Sequence, residues 1–181
     1  MDYSEFGENV AEVYDPRTGR FRVTGEYPER GEYRLRRPAA SATLVALADG
    51  GALLVGGYDD EGMPIATTLR YDPGSNAWSE TGRLGTTRAH LVAALLPDGT
   101  VLVAGGEDAY GATASAEIYD PIAGTWSPAP AMPEPRIGGA AVALPDGSVL
   151  IAGGYGAHSH RWGDYLCPPA LAMAVRFVPA K

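Results

Sequence analysis

Residues 98–126, DGTVLVAGGEDAYGATASAEIYDPIAGTW, decide the fold of this chain. They contain an Asp-Gly turn, an apolar run that ends in two glycines, a Tyr-Asp-Pro triplet and an aromatic residue seven positions after the tyrosine. A motif that returns along a chain is typical of a repeat protein. The same features recur on both sides, as Tyr14-Asp15-Pro16 with Phe21, as Asp49-Gly50, Gly56-Gly57 and Tyr71-Asp72-Pro73 with Trp78, and as Asp146-Gly147 with Gly153-Gly154.

The spacing of the repeats is regular except at two places. It is 48 residues from Tyr71 to Tyr119, but 57 residues from Tyr14 to Tyr71. The longer interval locates an insertion at residues 22–38, because the aligned segments on either side nearly keep their spacing. A second insertion lies at residues 155–171, where the segment after the glycine pair is longer than its counterpart in the preceding repeat. Long segments of this kind often carry function.

Each repeat predicts four short antiparallel strands. Residues 89–95 are small and apolar, as expected for a first strand that is buried on both faces. The Asp98-Gly99 turn supplies the positive φ of a tight hairpin, and the paired glycines that follow permit close backbone approach. The third strand stops at Tyr119-Asp120-Pro121. Trp126 on the fourth strand is large enough to fill the gap between neighbouring repeats, so the sequence predicts an all-β fold.

These motifs resemble the kelch repeat, whose units are the blades of a β-propeller and which has a period of about 50 residues. The resemblance covers the chain apart from the insertion at residues 22–38 and the tail after Gly154, and it implies a propeller similar to the central domain of galactose oxidase. It implies that the first strand of each four-stranded blade borders a central channel. It also implies that the segments before the first strands and after the glycine pairs share one face, where ligands usually bind.

The phase of the repeats predicts about three blades, whereas a closed propeller needs at least about four. The chain begins with a third and a fourth strand, continues through two whole blades, and then gives a first and a second strand that end at Gly154. Either the chain is a fragment, or two chains close a six-bladed ring as a homodimer. In the dimer, the N-terminal strand pair of one chain completes the C-terminal blade of its partner. Residues 174–179 resemble another third strand, which leaves open whether the chain fills that blade itself.

Composition sets broad limits on function. With 181 residues, of which 45% are hydrophobic, we expect one domain over residues 1–181. The net charge of -8 argues against binding to nucleic acid or to an anionic membrane. Cys167 is the one cysteine, which excludes an intramolecular disulfide, and no apolar run has the length of a membrane helix. We therefore expect a cytoplasmic protein.

Two arginines are candidate ligand-binding residues. Arg88 and Arg136 occupy the same position in two repeats, just before the first strand. They resemble arginines that kelch propellers use to hold acidic ligands, which implies a similar role here. Side chains two residues apart on a strand share a face, so we expect Arg88 and His90 to point the same way. The alternative is a structural role, in which the five guanidinium N–H groups bond to carbonyls of a neighbouring blade.

Further candidates lie in the segments that follow the glycine pairs. These segments are rich in charged and aromatic side chains, and the candidates are Asp59, Asp108, Tyr110, Arg161 and Trp162. Together with the arginines and His90 they predict a module that binds a protein, a peptide or a small acidic ligand. The alternative is that they are ordinary solvated loop residues.

The second insertion also offers a candidate metal site. In extended backbone, His158 and His160 aim both imidazoles one way, and Asp164 or His90 can supply a third ligand to a divalent metal. This pattern predicts a small metal-dependent enzyme as the second hypothesis. The alternative is a pair of polar loop histidines, and the sequence itself requires no cofactor.

Galactose oxidase, a copper enzyme, also has a kelch-type propeller and holds its copper with two tyrosines and two histidines. Here Tyr155, Tyr165 and Cys167 lie near the two histidines in sequence, but in one loop rather than on separate blades. The resemblance therefore does not extend to that activity, and the sequence leaves open whether the protein is an enzyme.

Overall fold

A computed structural model gives an all-β fold, without a helix among the residues that it describes. Those residues are 11–28, 40–156, 160–162, 165–167, 171 and 174–179. None of them lies in a helix that is long and apolar enough to cross a membrane. The strands of the first part are β1 (Glu12–Asp15), β2 (Arg20–Val23), β3 (Thr43–Ala46), β4 (Ala52–Val55), β5 (Thr68–Asp72), β6 (Ala77–Glu80), β7 (Val92–Leu95) and β8 (Val101–Ala104). Those of the second part are β9 (Glu107–Asp108), β10 (Gly111–Ala112), β11 (Ala116–Asp120), β12 (Thr125–Ala129), β13 (Ala140–Ala143), β14 (Val149–Ala152), β15 (His160–Trp162), β16 (Tyr165–Cys167) and β17 (Val175–Phe177).

Two sheets have the four antiparallel strands that the repeat predicts. Blade 1 has the strand order β3-β4-β5-β6, and blade 2 has the order β7-β8-β11-β12. The first strands are adjacent from blade to blade, because β7 packs beside both β3 and β13. This arrangement places the first strands innermost, and it confirms the four-stranded antiparallel blade that the sequence predicts.

Blade 3 contains β13, β14 and β17 among the described residues. Phe177 lies opposite Val149, as Tyr119 lies opposite Val101 in blade 2. The strand near the C-terminus therefore takes the third position of its own blade. This is one of the two arrangements that the sequence left open.

The N-terminal strands pair with each other and pack against blade 1. Val13 of β1 contacts the cluster around Tyr71 and Trp78. The Gly25 amide donates to Asn76 O at 2.9 Å, and the equivalent contact between blades 1 and 2 joins the Gly82 amide to Gly124 O at 3.0 Å. The pair β1–β2 thus occupies the place of the outer half of a blade that precedes blade 1.

The hydrophobic core lies between the blades. Tyr119 is fully buried in the cluster between blades 1 and 2, and its hydroxyl is 2.5 Å from Oγ1 of Thr81 in the segment after β6. The Trp126 indole donates to Gly82 O at 3.0 Å and to Thr68 Oγ1 at 3.2 Å. The aromatic residues of the repeat therefore fill the gaps between blades and also hydrogen-bond across them.

The first glycine of the pairs in blades 1 and 2, Gly56 and Gly105, is required by the contact with the next blade. Gly105 has φ +65, and a Cβ at this position would lie 2.5 Å from the carbonyl oxygen of Arg136 in the next repeat. An L side chain would be strained by the backbone conformation and would also clash with that carbonyl. The paired glycines thus allow neighbouring blades to approach closely near their inner strands.

Candidate functional site

Three equivalent residues form a continuous row just before the innermost strands. Ser41, His90 and Gly138 all have left-handed backbone, with φ of 59°, 52° and 68°. The His90 amide donates to Ser41 O at 3.1 Å, and the Gly138 amide donates to His90 O at 2.8 Å. We call these three residues the inner rim. Its hydrogen bonds connect all three blades through the backbone alone.

A second row lies beside the inner rim. Tyr58, Glu107 and Tyr155 each follow a glycine pair, and we call them the post-glycine residues. Each forms an isolated bridge with a residue just before the inner rim, and the bridged pairs are Ala40 with Tyr58, Ala89 with Glu107, and Ile137 with Tyr155. We call the inner rim and the post-glycine residues together the binding face. The bridges fix the post-glycine residues at the same level in all three blades.

Side chains on the binding face are accessible and partly aromatic. The rings of Tyr58 and His90 meet edge to face, with centroids 5.6 Å apart. His90 is exposed, and Tyr155 has 52% of its surface exposed. These groups offer stacking surfaces, and they can also donate and accept hydrogen bonds.

Arg88 lies in the interior rather than on this face. It has no exposed surface, and its Nη1 donates to Gly105 O and to Ser115 O, both at 3.0 Å. The expectation that Arg88 and His90 point the same way is wrong, because Arg88 is buried whereas His90 is exposed. The positive φ of His90 breaks the extended backbone that the two-residue period assumes, and β7 begins only at Val92.

Arg88 forms a buried ion pair that the sequence pattern did not predict. Its Nη2 donates to Glu117 Oε1 at 3.1 Å, and Glu117 is 6% exposed. Oε2 of Glu117 accepts from the Gly85 amide at 2.7 Å, and Oε1 accepts from the Thr86 amide at 3.2 Å. Both partners of the ion pair are in the sequence of one repeat, but a glutamate on a strand does not by itself indicate that it is buried and paired with Arg88.

Arg136 occupies the equivalent position in blade 3 and is 1% exposed. Its Nη1 donates to the carbonyl of Gly153 at the end of β14. Both arginines therefore have structural contacts with carbonyl groups, but these carbonyls belong to the arginine's own blade and not to a neighbouring blade as the alternative expected. Their binding role stays a prediction, and it requires a conformation in which the guanidinium groups are accessible.

The other predicted ligand-binding residues lie in the loops around the binding face. Asp59 Oδ1 accepts from the amides of Glu61 and Met63, at 3.0 and 2.8 Å, and so orders its own loop. Asp108 Oδ1 accepts from the amide of Tyr110, at 2.7 Å, in the β9–β10 hairpin. Tyr110 is 99% exposed at the tip of that hairpin. These residues flank the binding face.

The second insertion contains the hairpin β15–β16, in which His160 lies opposite Cys167. Arg161 and Trp162 are part of β15, but their side chains lie outside the described residues, as does that of His160. His158 and Asp164 also lie outside the described residues. Among the residues that are described, no group of three or more side chains could hold a metal ion. The metal site therefore stays a prediction.

Comparisons with known proteins agree with the repeat. Residues 88–133 match the family model described as Kelch motif. Solved structures similar to this chain include that of YjhT, with a TM-score of 0.66 and 18% sequence identity. The match covers 93% of this chain and 52% of that chain, so this chain spans about half the length of the structure that it matches. No curated protein matches the sequence.

Proposed function

We propose that this chain, which has a Kelch motif at residues 88–133 and a kelch-type β-propeller fold, is an interaction module that binds a peptide segment on the binding face. The observation that carries the proposal is the inner rim, which connects three blades at one level, includes His90, and has Tyr58 and Tyr155 beside it. Tyr155 is exposed and Tyr58 is half-buried, and tyrosines supply large contact area at low entropic cost, which is typical of protein recognition surfaces.

The charge of the face favours a peptide with basic side chains. Glu107 lies in the post-glycine row, and Asp108 follows it in β9. Arg88 and Arg136 are buried, so they do not offset these carboxylates on the surface. A small acidic ligand is the alternative, because the sequence also predicts Arg161 in the second insertion as a ligand-binding residue.

A display library of random peptides, selected on the purified chain, tests the proposal. We expect Tyr155→Ala and His90→Gly to weaken binding of the selected peptides at least about tenfold, which is the scale of an interface hot spot. Glycine is suited to position 90, because the equivalent Gly138 has the same left-handed backbone. Ile122→Ala is the control, since Ile122 is 97% exposed in the turn between β11 and β12.

Three outcomes decide the proposal. Enrichment of basic peptides whose affinity falls in both rim variants supports it. Enrichment of acidic peptides that still bind these variants moves the site to Arg161 and supports the alternative. No enrichment, or equal affinity for the control and the rim variants, overturns a peptide site on this face.

We also propose that two copies close a six-bladed ring as a homodimer. Tyr14 and Phe21 of the N-terminal pair are 51% and 66% exposed, whereas the equivalent Tyr119 is fully buried between blades. Apolar surface of this kind marks an interface. Light scattering after size exclusion is expected to give twice the mass of the 181-residue chain. A monomer at high protein concentration would overturn the dimer. The cytoplasmic location stays a prediction that cell fractionation can test.

A further inference from the structure

We propose that the binding face has a specificity pocket for an arginine side chain, above Gly138 and between Glu107 and Tyr155. We call this pocket the Gly138 notch, and its boundary is formed by His90, Glu107, Gly138 and Tyr155. The inference rests on the peptide-binding function proposed above, and it names the side chain that the peptide supplies. It assigns the selectivity of the face to a position at which the repeat changes its residue.

The inner rim is filled in blade 2 and open in blade 3. His90 reaches the post-glycine residue of the preceding blade, since its ring meets that of Tyr58 with centroids 5.6 Å apart. Gly138 is the equivalent residue of blade 3 and has no side chain. Apart from its chain neighbours, no atom of the described residues lies within 4 Å of the position that a Cβ at Gly138 would take. The place that an imidazole occupies in blade 2 is therefore open in blade 3.

Glu107 borders this open place. The junctions on the two sides of blade 2 share one backbone hydrogen bond, which joins Gly57 N to Arg88 O at 2.8 Å and Gly106 N to Arg136 O at 2.7 Å. Glu107 is therefore related to Gly138 as Tyr58 is related to His90. Within the part of the chain that the structure describes, the Glu107 carboxylate has no hydrogen bond or ion pair. Its charge is thus available to a ligand in the notch.

Tyr155 supplies an aromatic side chain on the other side of the notch. Its amide donates to Ile137 O, and its carbonyl accepts from the Ile137 amide, both at 2.8 Å, which fixes Tyr155 beside Gly138. Tyr155 and His90 are both exposed. The notch therefore combines one carboxylate with two aromatic side chains that a ligand can reach.

A guanidinium group has the chemistry that this combination recognises. It forms two parallel N–H···O bonds with a carboxylate, and its flat faces stack on aromatic rings. A lysine ammonium is a compact and strongly hydrated charge without such a face, so we expect it to bind more weakly. A ligand carboxylate would be repelled by Glu107 and by Asp108, which follows it in β9. The side chain that fits the notch is therefore that of arginine.

Small amino-acid amides test the notch without a selected peptide. The amide of α-N-acetylarginine is titrated into the isotope-labelled chain, and the backbone amide resonances of residues 90, 107 and 138 are followed by NMR. We expect saturable shifts, and at least about tenfold weaker binding of the corresponding citrulline and lysine compounds. Citrulline has nearly the same shape as arginine but no charge. Equal affinity for the three compounds, or no shift at these residues, overturns the inference.

Two variants alter the notch in different ways. Gly138→His restores the residue of blade 2, and the backbone suits it, because φ is 68° at Gly138 and 52° at His90. Glu107→Gln nearly keeps the size of the side chain and removes its charge. Both variants are expected to weaken binding of the arginine compound, and of arginine-containing peptides, at least about tenfold.

Each variant has a matched control away from the binding face. Gly19→His places the same side chain in the turn between β1 and β2, where φ is 67° and no atom of the described residues lies within 4 Å of a Cβ position. Asp98→Asn removes the same charge in the turn between β7 and β8. Circular dichroism of the four variants checks the fold. Equal binding by the notch variants and their controls overturns the inference.

The two kinds of probe separate this inference from the proposed peptide site. Peptides that bind the face but keep their affinity for Gly138→His overturn the notch and leave the peptide-binding function standing. Binding of the arginine compound at the notch, with no peptide enriched from the library, supports the notch and overturns the peptide-binding function. Loss of both the arginine compound and the selected peptides in the two notch variants, with unchanged controls, supports both proposals.

Discussion

Arg88 Nη2 and Glu117 Oε1 lie 3.1 Å apart, with both side chains buried, and this ion pair joins the residue before the first strand of blade 2 to its third strand. The guanidinium also bonds to the carbonyl of Gly105 at the end of β8. A single side chain thus connects three parts of one blade next to the binding face. Neither residue is exposed, so the pair can affect the binding face only by fixing the position of the backbone beside it.

Removal of one partner of this pair should be strongly destabilising. We expect Glu117→Gln to lower the free energy of unfolding by about 3–5 kcal/mol, because it leaves a buried guanidinium without its counter-charge. Urea denaturation measures the change, and Glu134→Gln on the exposed surface is the control. A loss below about 1 kcal/mol, the size expected of an exposed pair, would contradict the assignment.

The repeat made the architecture predictable from sequence, because its residues have local physical reasons to recur. Gly105 is required by the close approach of the Arg136 carbonyl, and Tyr119 by the gap between two blades. The site was less predictable. The two-residue period placed Arg88 beside His90, but His90 itself has left-handed backbone and so departs from the extended strand, and spacing does not report that conformation. Nor did it report that Glu117, far along the chain, would draw Arg88 into the interior.

Tyr119 offers a second test, at the contact between blades. We expect Tyr119→Phe to lower the free energy of unfolding by about 1 kcal/mol, because the buried ring is retained while the hydrogen bond to Thr81 Oγ1 is lost. Thermal or urea unfolding provides the measurement. Tyr110→Phe should leave stability unchanged, since that hydroxyl is fully exposed on a hairpin tip. Equal effects of the two substitutions would argue against a structural role for the inter-blade bond.

Alanine substitutions at two glycines distinguish the stability cost of backbone strain from the cost of a steric clash. Gly62 has φ +77, and no atom lies within 4 Å of the position that a Cβ would take, so Gly62→Ala should cost about 1 kcal/mol through the backbone alone. Gly105→Ala adds a clash with Arg136 O, and we expect a clearly larger loss of stability. Urea denaturation of the two variants gives the comparison. A loss at Gly105 no greater than that at Gly62 would show that the blades can separate at little cost.

The aspartates of the Asp-Gly turns are expected to make the stability of the fold depend on pH in the acid range. A hydrogen bond from Thr100 Oγ1, and then one from the Thr100 amide, lower the pKa of Asp98 below its usual value of 3.8. A carboxyl with a depressed pKa in the folded state stabilises the fold above its unfolded pKa, and this contribution is lost as the pH falls from the unfolded pKa through the folded pKa. Thr100→Val should therefore raise the pKa of Asp98 and reduce the acid sensitivity of unfolding between these two values.

Carboxyl resonances followed by NMR during an acid titration test this last prediction within one sample. Asp146 is the internal control, because the Ser148 hydroxyl lowers its pKa in the equivalent turn of blade 3, which Thr100→Val leaves intact. We expect the pKa of Asp98 to rise while that of Asp146 stays low. If both remain low, the backbone amide of residue 100 suffices to hold the carboxylate, and the threonine hydroxyl has no part in the acid response.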